Sequence, residues 1–298
     1  MNLLITGGTG FIGSALCARL LIANHNITVL SRHPEKVHPP IKAITAISQL
    51  EIAAIFDIVI NLAGEPIANK RWSVKQKQRI LASRISTTEQ LIVFLKRVAH
   101  KPKLLINGSA IGYYGISKTN NAIDEHSAGD ESFSSQLCQQ WETVALQAEA
   151  IGIRTCLLRT GIVLGKGGGA LSKMLLPFQL GLGGKIGDGK QWMSWIHLDD
   201  LDDLVGIILY CITDDKLTGA INSTSPNPVT NQEFTKTLGK VLKRPTILPL
   251  PKVIIKLLMG QMGEELLLAG KKILPIKISA AGYHFQYQQL EQALINSL

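Results

Sequence analysis

The stretch that decides the fold is Thr6-Gly7-Gly8-Thr9-Gly10-Phe11-Ile12-Gly13, which directly follows the apolar run Leu3-Leu4-Ile5. An apolar helical pattern comes next, and a second apolar run, residues 27–30, ends in Ser31-Arg32. This order of strand, glycine turn, helix and strand predicts one βαβ unit of the doubly wound type.

The glycine spacing of this turn is typical of a dinucleotide site. Gly7 permits a tight turn, Gly10 lets the backbone approach a diphosphate, and Gly13 lets the helix close on the sheet. The diphosphate then accepts hydrogen bonds from free N–H groups at the helix N-terminus. We therefore predict a diphosphate site that includes Gly7, Gly10, Phe11, Ile12 and Gly13.

The end of the second strand predicts which dinucleotide is bound. An acidic residue there would bind the ribose 2′-hydroxyl, but this chain has Ser31 and Arg32. A hydroxyl with a guanidinium suits a 2′-phosphate, which arginine grips with two parallel hydrogen bonds. The alternative for Arg32 is a solvated surface side chain. We predict that the cofactor is NADP (NADPH) rather than NAD.

Composition and charge narrow the class of protein. The 298 residues are 46% hydrophobic, which allows a sizeable core, and 31 Lys and Arg against 22 Asp and Glu give a net charge of +9. Such a balance favours an anionic ligand, and a dinucleotide supplies one. No run of five like charges and no nucleic-acid-binding motif is present, so we expect no nucleic-acid partner.

The cysteines and the apolar runs bear on location. Four cysteines lie far apart without a CxxC pair, which is typical of buried thiols in a reducing compartment. The first residues lack the basic region of a signal peptide, and no uninterrupted apolar stretch reaches about eighteen residues. We expect a cytoplasmic protein with no membrane partner.

Strand and helix patterns alternate along the first two thirds of the chain, which predicts a mainly parallel sheet with helices on both faces. After the first unit, strands are predicted at 41–44, 57–62, 104–107, 154–159 and 220–222, and helices at 49–55, 74–99, 132–150, 171–182 and from Asp199-Asp200 onward.

We predict two units. Residues 1–225 form the Rossmann-type NADP-binding domain, in which glycine-rich loops within residues 165–195 line a substrate cleft. Residues 226–298 form a small, mainly helical C-terminal lobe, with Asn231 as a candidate helix N-cap. Because ligands bind at the carboxyl ends of parallel strands, further candidate site residues stand at those ends: Leu62, Ala63, Gly64, Ser109 and Ile162.

With these motifs assembled, the chain resembles the extended short-chain dehydrogenase/reductase superfamily, on residues 6–13, 61–64, 159–165 and 197–200. Within it, the sequence is similar to the atypical group called nucleotide-sugar epimerase-like. The resemblance covers nearly the whole chain, through motifs at residues 64–67, 71–72, 83–84, 109–115, 193–197, 228–231 and a lobe from about residue 249.

The chain departs from that superfamily at the acid–base pair. Superfamily oxidoreductases carry Tyr-x-x-x-Lys, where the tyrosine exchanges the proton and the lysine lowers its pKa and holds the ribose. Aligning Glu142 with the acidic residue that commonly follows the lysine puts Cys138 at the lysine position and Ser134 at the tyrosine position. The usual triad serine falls on Ala110, one residue beyond Ser109. Neither Ser134 nor Cys138 can replace the pair.

Nearby groups are candidate substitutes. A phenol of Tyr113 or Tyr114 could face the nicotinamide, with Ser109 orienting the substrate; the alternative is packed tyrosines with backbone partners. His197 beside Asp199 and Asp200 could titrate near neutrality, or could order a loop while the aspartates cap a helix. We expect no metal site, because no fourth ligand is spaced to join these three residues.

The resemblance also assigns two arginines and a cleft. Arg84 and Arg71 belong to the group's motifs, so we predict that Arg84 reaches the cofactor and Arg71 the substrate. Trp192, Trp195 and His197 are predicted to line the substrate cleft, where an aromatic ring could stack on a sugar or base or could pack the lobe.

The function expected from the resemblance is an NADP-dependent, epimerase-like oxidoreductase. Its substrate is a sugar nucleotide or a similar small carbinol or carbonyl compound, with hydride transfer at the nicotinamide C4. The missing Tyr-Lys pair keeps a second reading open, a non-catalytic NADP-binding redox sensor or regulator. A homodimer is also possible, in which the helices at residues 74–99 and 132–150 would form the interface.

Overall fold

The computed structural model describes residues 1–117, 121–198 and 204–298. Its strands are β1 (Asn2–Thr6), β2 (Asn26–Leu30), β3 (Lys42–Ile44), β4 (Ile58–Asn61), β5 (Leu104–Ala110), β6 (Arg154–Thr160), β7 (Ile162–Leu164), β8 (Trp192–Met193), β9 (Trp195–His197), β10 (Gly219–Ser223) and β11 (Val229–Thr230). Its α-helices are α1 (Phe11–Ile22), α2 (Val74–Arg97), α3 (Phe133–Ala145), α4 (Gly169–Gln179), α5 (Leu204–Thr213), α6 (Asn231–Leu242), α7 (Lys252–Met259), α8 (Gln261–Gly263), α9 (Ile276–Ala280) and α10 (Leu290–Ser297). A π-helical turn spans Glu264–Leu268, and 3₁₀ turns span Pro34–Lys36, Ile47–Gln49, Ile111–Tyr114 and Leu146–Ile151.

Seven strands form one parallel sheet in the order β10-β6-β5-β4-β1-β2-β3. The chain builds outward from β1 in one direction and then returns to build the other half, which confirms the predicted doubly wound Rossmann-type fold. The register places Thr6 opposite both Leu30 and Asn61, and Ala110 opposite Thr160. Five strands therefore end at one edge.

Helices cover both faces of this sheet, so the β1 side chains from Leu3 to Thr6 are fully buried. On one face Leu16 and Leu20 of α1 join Ile207 of α5, and on the other Leu91 of α2 joins Ala145 of α3. Burial on both faces explains why these strands read as continuous apolar runs rather than as an alternation.

The C-terminal segments share a core with the loops that precede them. Leu171 of α4 and Trp195 of β9 pack with Phe234 of α6 and Leu294 of α10 in one buried cluster. This cluster joins residues from both sides of the predicted boundary at residue 226. Among the described residues, the helices include none that is both long enough and apolar enough to cross a bilayer.

One predicted helix is wrong. Residues 49–55 do not form a helix; only the short turn Ile47–Gln49 is present, and Leu50 is extended. The Gln49 side-chain oxygen accepts hydrogen bonds from the N–H groups of Thr45 and Ala46, which closes the turn. Ile52 and Ile55 remain exposed, so no apolar face exists to pack a helix on the sheet.

The N-cap of α6 is Thr230, not the predicted Asn231. The Thr230 hydroxyl accepts from the Glu233 N–H, and the Glu233 carboxylate accepts from the Thr230 N–H, so the two residues form a capping box. Asn231 is the first helical residue, and its Oδ1 accepts from the Ile186 N–H at 2.8 Å. It therefore ties α6 to the glycine-rich loop.

Candidate functional site

The glycine turn between β1 and α1 leaves a bare backbone surface at the carboxyl edge of the sheet. Gly7 has φ of +73°, and a Cβ there would lie 2.7 Å from the Leu62 carbonyl carbon. A Cβ on Gly13 would overlap the Gly7 carbonyl oxygen. Gly10 is the exposed N-cap of α1, and no described side chain caps this end. The free amides and the missing Cβ atoms fit a diphosphate.

The end of β2 presents a guanidinium beside this turn. Ser31 is buried; its Oγ accepts from the His33 N–H at 3.0 Å and lies 3.3 Å from the Thr9 Oγ1. Arg32 is exposed and makes no hydrogen bond or ion pair with the described residues. The hydroxyl of Ser31 therefore shapes the turn, while Arg32 is available for a ligand.

The end of β4 carries Leu62, Ala63 and Gly64, with Arg84 of α2 against them. A Cβ on Gly64 would lie 2.8 Å from the guanidinium carbon. The Arg84 Nη1 donates to the carbonyl oxygens of Glu65 and Ile80, and no described carboxylate lies within ion-pair distance. Burial lowers the pKa of Arg84. A desolvated cation with only carbonyl partners is a suitable place for an anion.

A buried polar network holds the strands behind this edge. Thr6 donates to the Asn61 Oδ1 at 2.5 Å, and the Asn61 Nδ2 donates to Thr88 and Asn107 at 2.8 and 2.6 Å. The Trp141 indole donates to the same Thr88 hydroxyl at 3.0 Å. The network links three strands to α2 and α3, so the edge is held rigidly.

A second buried network lies at the end of β5 and β6. Arg159 forms a two-pronged ion pair with Glu142 of α3, through Nε at 2.9 Å and Nη2 at 2.8 Å. Ser109 donates its hydroxyl to the same carboxylate at 2.6 Å. Burial alone would lower the pKa of Arg159, but its bonds to Glu142 raise it above the ordinary value. Ser109 is therefore fixed by a charged acceptor.

Tyr114 belongs to this network and is fully buried. Its hydroxyl donates to the Asn222 Oδ1 at 2.6 Å and accepts from the Arg159 Nη1 at 3.0 Å. Burial raises its pKa to about 12, against the opposing effect of Arg159. The candidate role of Tyr114 as proton donor does not fit this geometry, because its oxygen is held away from the surface.

Tyr113 is the tyrosine that reaches the surface. Its ring lies over the Arg159 guanidinium, with the carbon 3.4 Å from the ring centroid, and packs edge-on to the Tyr114 ring at 5.4 Å. The side chain is partly exposed, and its hydroxyl bonds to none of the described residues. The ring is thus fixed on a cation while the hydroxyl stays open.

Ser134 and Cys138, which align with the missing Tyr and Lys, make other contacts in the structure. Ser134 and Phe133 start α3, and their N–H groups donate to the Glu265 carboxylate at 2.9 and 3.2 Å; the Ser134 hydroxyl donates to it at 2.6 Å. Cys138 is buried among Ser109, Glu142 and Arg84, and burial raises its pKa to about 11. Ser134 therefore anchors the Glu265 side chain of the C-terminal region, and Cys138 remains a thiol.

The structure does not place the residues predicted to line the substrate cleft on one open surface. Trp195 and His197 are fully buried in β9, where the Trp195 indole donates to the Asn227 carbonyl and the His197 ring lies 4.2 Å from the Tyr287 ring. Both therefore pack the lobe instead of lining an open cleft. Trp192 is partly exposed, with the Lys272 ammonium 5.2 Å from its ring.

Three further candidates lie apart from the glycine turn or at its border. The ring of Phe11 packs against Gly168 and Gly169, which brings the glycine-rich loop over the start of α1. Ile162 is partly buried and pairs with Trp195 in the β7–β9 ladder. Arg71 is exposed, and its guanidinium lies against Gly260 at the end of α7.

A separate acidic cavity of about 680 Å³ lies beyond the Tyr113–Tyr114 turn and is not at the glycine turn; its lining includes Asp130, Glu131, Glu264 and Glu265. The carboxylate of Asp130 accepts from the N–H groups of Ile116 and Ser132. Asp199 and Asp200, the predicted neighbours of His197, lie outside the described residues. Within those residues, no cluster of three His, Cys, Asp or Glu could hold a metal.

Sequence reasoning missed the roles of Glu142, Arg159, Asn222 and Glu265. An arginine at a buried strand end signals a buried carboxylate partner, so the ion pair could have been suspected. The partner itself could not be identified, since Glu142 is 17 residues away and Asn222 is 108 residues from Tyr114.

The sheet, the glycine turn and the uncapped start of α1 define a dinucleotide-binding protein of the Rossmann type. The family model described as "NAD dependent epimerase/dehydratase family" matches residues 3–220, and the model of a domain of unknown function, DUF1731, matches residues 250–296. The chain therefore belongs to the NAD dependent epimerase/dehydratase family.

Relatives are similar over nearly their whole length. The chain is 38% identical over 301 residues to the epimerase family protein YfhF of Bacillus subtilis, with 99% of this chain and 97% of the relative covered. It is 36% identical over 300 residues to the human epimerase family protein SDR39U1, with 99% and 98% covered.

Two solved structures extend the likeness. A crystal structure of human SDR39U1 (isoform 2) with NADPH matches with a TM-score of 0.88 and 35% identity, and covers 100% of this chain and 99% of that chain. A nucleoside-diphosphate sugar epimerase from Corynebacterium glutamicum matches with a TM-score of 0.76 and 28% identity, and covers 100% of this chain and 58% of that chain.

Proposed function

We propose that the protein binds NADPH and is an oxidoreductase of the epimerase-like type. The observation that carries the proposal is the glycine turn, where Gly7, Gly10 and Gly13 leave a backbone cradle before an uncapped 12-residue helix. The NADPH in the crystal structure of human SDR39U1, a relative of similar length, supports the same cofactor here.

The choice of NADPH over NADH rests on Arg32. Its guanidinium is exposed at the end of β2, where an acidic residue would bind the 2′-hydroxyl of NAD. Without a described carboxylate partner, the side chain is open to a phosphate and can form two parallel hydrogen bonds with it.

Arg84 supports the next part of the proposal, because the chain has no lysine at position 138. Arg84 and Trp141 stack with the guanidinium carbon 5.2 Å from the ring, so the cation lies between α2 and α3. It is also among the charges that act on the Cys138 thiol. We assign to Arg84 the positive charge that the aligned lysine would supply, directed at the cofactor.

For the chemistry, bound NADPH supplies a hydride at the nicotinamide C4. Ser109 is fixed by Glu142 and contributes a hydroxyl oxygen that can accept a hydrogen bond from the carbinol that forms when the hydride reduces a carbonyl substrate. The exposed Tyr113 hydroxyl exchanges the proton with the substrate oxygen. Its ring is held by the Arg159 guanidinium, which stabilises negative charge that develops on the phenol oxygen.

A panel of carbonyl compounds and nucleotide sugars tests this proposal, with NADPH deuterated at C4. We expect deuterium in the product of at least one substrate. Tyr113→Phe should lower kcat by roughly 10²–10⁴-fold, the usual contribution of a positioned acid–base group, and leave NADPH affinity unchanged. Ser132→Ala, at a residue that bonds Asp130 outside the network, is the matched control.

The contacts of Ser134 and Cys138, which align with the missing Tyr and Lys, favour a second candidate function. Ser134 bonds to Glu265 of the C-terminal region, and Cys138 is buried, so the superfamily's proton-transfer pair is replaced by a structural contact. A non-catalytic NADPH sensor needs only such a bound cofactor and a coupled lobe. Deuterium transfer to no compound, with tight NADPH binding retained, would favour the sensor.

A further inference from the structure

Ten of the 21 exposed large hydrophobic side chains in the described residues lie in two short segments, residues 176–182 and 247–258. The segments adjoin one another, since the Leu248 N–H donates to the Gly183 carbonyl and the Leu250 N–H to that of Lys185. The Arg244 side chain donates to the Gln179 carbonyl at the end of α4. They form one surface, which we name the α4–α7 face.

The side chains of this face protrude. Along α7, Val253 and Leu257 are each 74% exposed, and Ile254 and Leu258 follow them on the same side of the helix, whereas Ile255 is buried underneath. Ile247 is 77% exposed in the preceding strap. Aliphatic groups that stand out singly are ordinary, but a contiguous group marks an interaction surface.

The charge around the face is of one sign in the sequence. From residue 234 to residue 263 the chain has six Lys or Arg and no Asp or Glu; the cations are Lys236, Lys240, Lys243, Arg244, Lys252 and Lys256. Three acids from outside this stretch pair with cations of the set, Asp188 with Lys252, Glu264 with Lys256 and Glu291 with Lys240, which leaves Lys236, Lys243 and Arg244 without an acidic partner among the described residues. An apolar stripe flanked by lysines is the pattern of a helix that lies in the interface of an anionic bilayer.

We propose that the α4–α7 face docks on an anionic phospholipid surface. The aliphatic side chains enter the boundary between headgroups and acyl chains, and the lysines and Arg244 bind the headgroup phosphates. A second copy is a poorer occupant, because a two-fold contact would set the same row of cations against itself. The sequence prediction of no membrane partner is based on the lack of a membrane-spanning segment. A helix that lies on the bilayer surface needs no such segment.

Co-sedimentation with vesicles tests the proposal on the full chain. The wild type should bind vesicles of equal parts phosphatidylglycerol and phosphatidylcholine, and bind vesicles of phosphatidylcholine alone at least tenfold more weakly. Lys252→Gln with Lys256→Gln should lower the anionic-vesicle affinity by about fivefold per lysine. Added salt should weaken binding in parallel.

The apolar contribution is tested by Val253→Asp with Leu257→Asp, which should abolish vesicle binding. Ile22→Asp with Val93→Asp is the matched control, since these side chains are 73% and 55% exposed on α1 and α2 and should leave binding intact. Unchanged NADPH affinity and circular dichroism verify folding in both.

Failure of the wild type to bind anionic vesicles would overturn the proposal. So would equal binding by the two double variants. If Val253→Asp with Leu257→Asp instead turned a dimer into a monomer, without vesicle binding by the wild type, the face would belong to a second copy.

Discussion

Glu142→Gln should be among the most destabilising single polar substitutions in this chain. The change removes the negative charge of the carboxylate that accepts hydrogen bonds from Arg159 at 2.8 and 2.9 Å and from the Ser109 hydroxyl. The arginine stays buried. Removing one partner of a buried ion pair costs about 3–5 kcal/mol, because the remaining charge has lost its compensation. We expect this loss in the free energy of unfolding, measured by urea denaturation followed by tryptophan fluorescence.

The matched control is Glu291→Gln. Its carboxylate also meets a cation, Lys240, at 2.8 Å, but the two side chains are 43% and 69% exposed, so the loss should be below about 1 kcal/mol. Adding Arg159→Met to Glu142→Gln should recover stability relative to the single variant, since the unpaired charge is then removed. Equal stability losses for Glu142→Gln and Glu291→Gln would refute the reasoning.

Three other expectations can be measured on purified variants. Gly13→Ala should lower NADPH affinity more than tenfold in a fluorescence titration, because the new Cβ overlaps the Gly7 carbonyl oxygen. Tyr114→Phe should cost about 1–3 kcal/mol in urea unfolding, since Arg159 loses an acceptor, and should leave NADPH affinity unchanged. Burial opposes the shift, but hydroxyl and backbone donors hold the pKa of Asp130 well below its usual range, so the carboxylate stabilises the fold above the unfolded pKa of about 3.9. That contribution is lost as pH falls toward the folded pKa, and Asp130→Asn should show a flatter acid limb in the same assay.

The central sheet could be predicted from sequence because its signals are local. The inner strands of the parallel sheet are buried on both faces, so their centres, such as residues 58–60 and 156–158, are apolar at every position. The glycine turn was readable for the same reason: the positive φ of Gly7 and the contact between Gly13 and the Gly7 carbonyl involve residues six apart at most.

Interactions that span the fold were not readable. Tyr113 and Tyr114 are adjacent and equivalent in sequence, yet one hydroxyl is open and the other is enclosed by Arg159 and Asn222, which the sheet brings in from β6 and β10. Trp195 has an aromatic ring that could stack on a ligand, but the residues of the lobe pack around it. In both cases the decisive neighbours come from remote segments.

The helix predicted at residues 49–55 failed for a local reason. Its apolar residues suit a helical pattern, but Gln49 uses its side chain to close a turn with Thr45 and Ala46, and a second turn, closed by the Ala54 N–H on the Glu51 carbonyl, precedes β4. Short apolar stretches of this kind carry too few turns for periodicity to decide between helix and loop.

The most direct test of the account is calorimetric titration of NADP and of NAD into the wild type, Arg32→Ala and the neighbouring control Lys36→Ala. We predict that NADP binds the wild type more tightly than NAD, and that Arg32→Ala weakens NADP alone by about 1.5–3 kcal/mol, the scale of a lost charged hydrogen bond. Lys36→Ala should leave both affinities unchanged. Binding of neither dinucleotide to the wild type would contradict the proposed function, and equal weakening of both by Arg32→Ala would contradict the 2′-phosphate assignment.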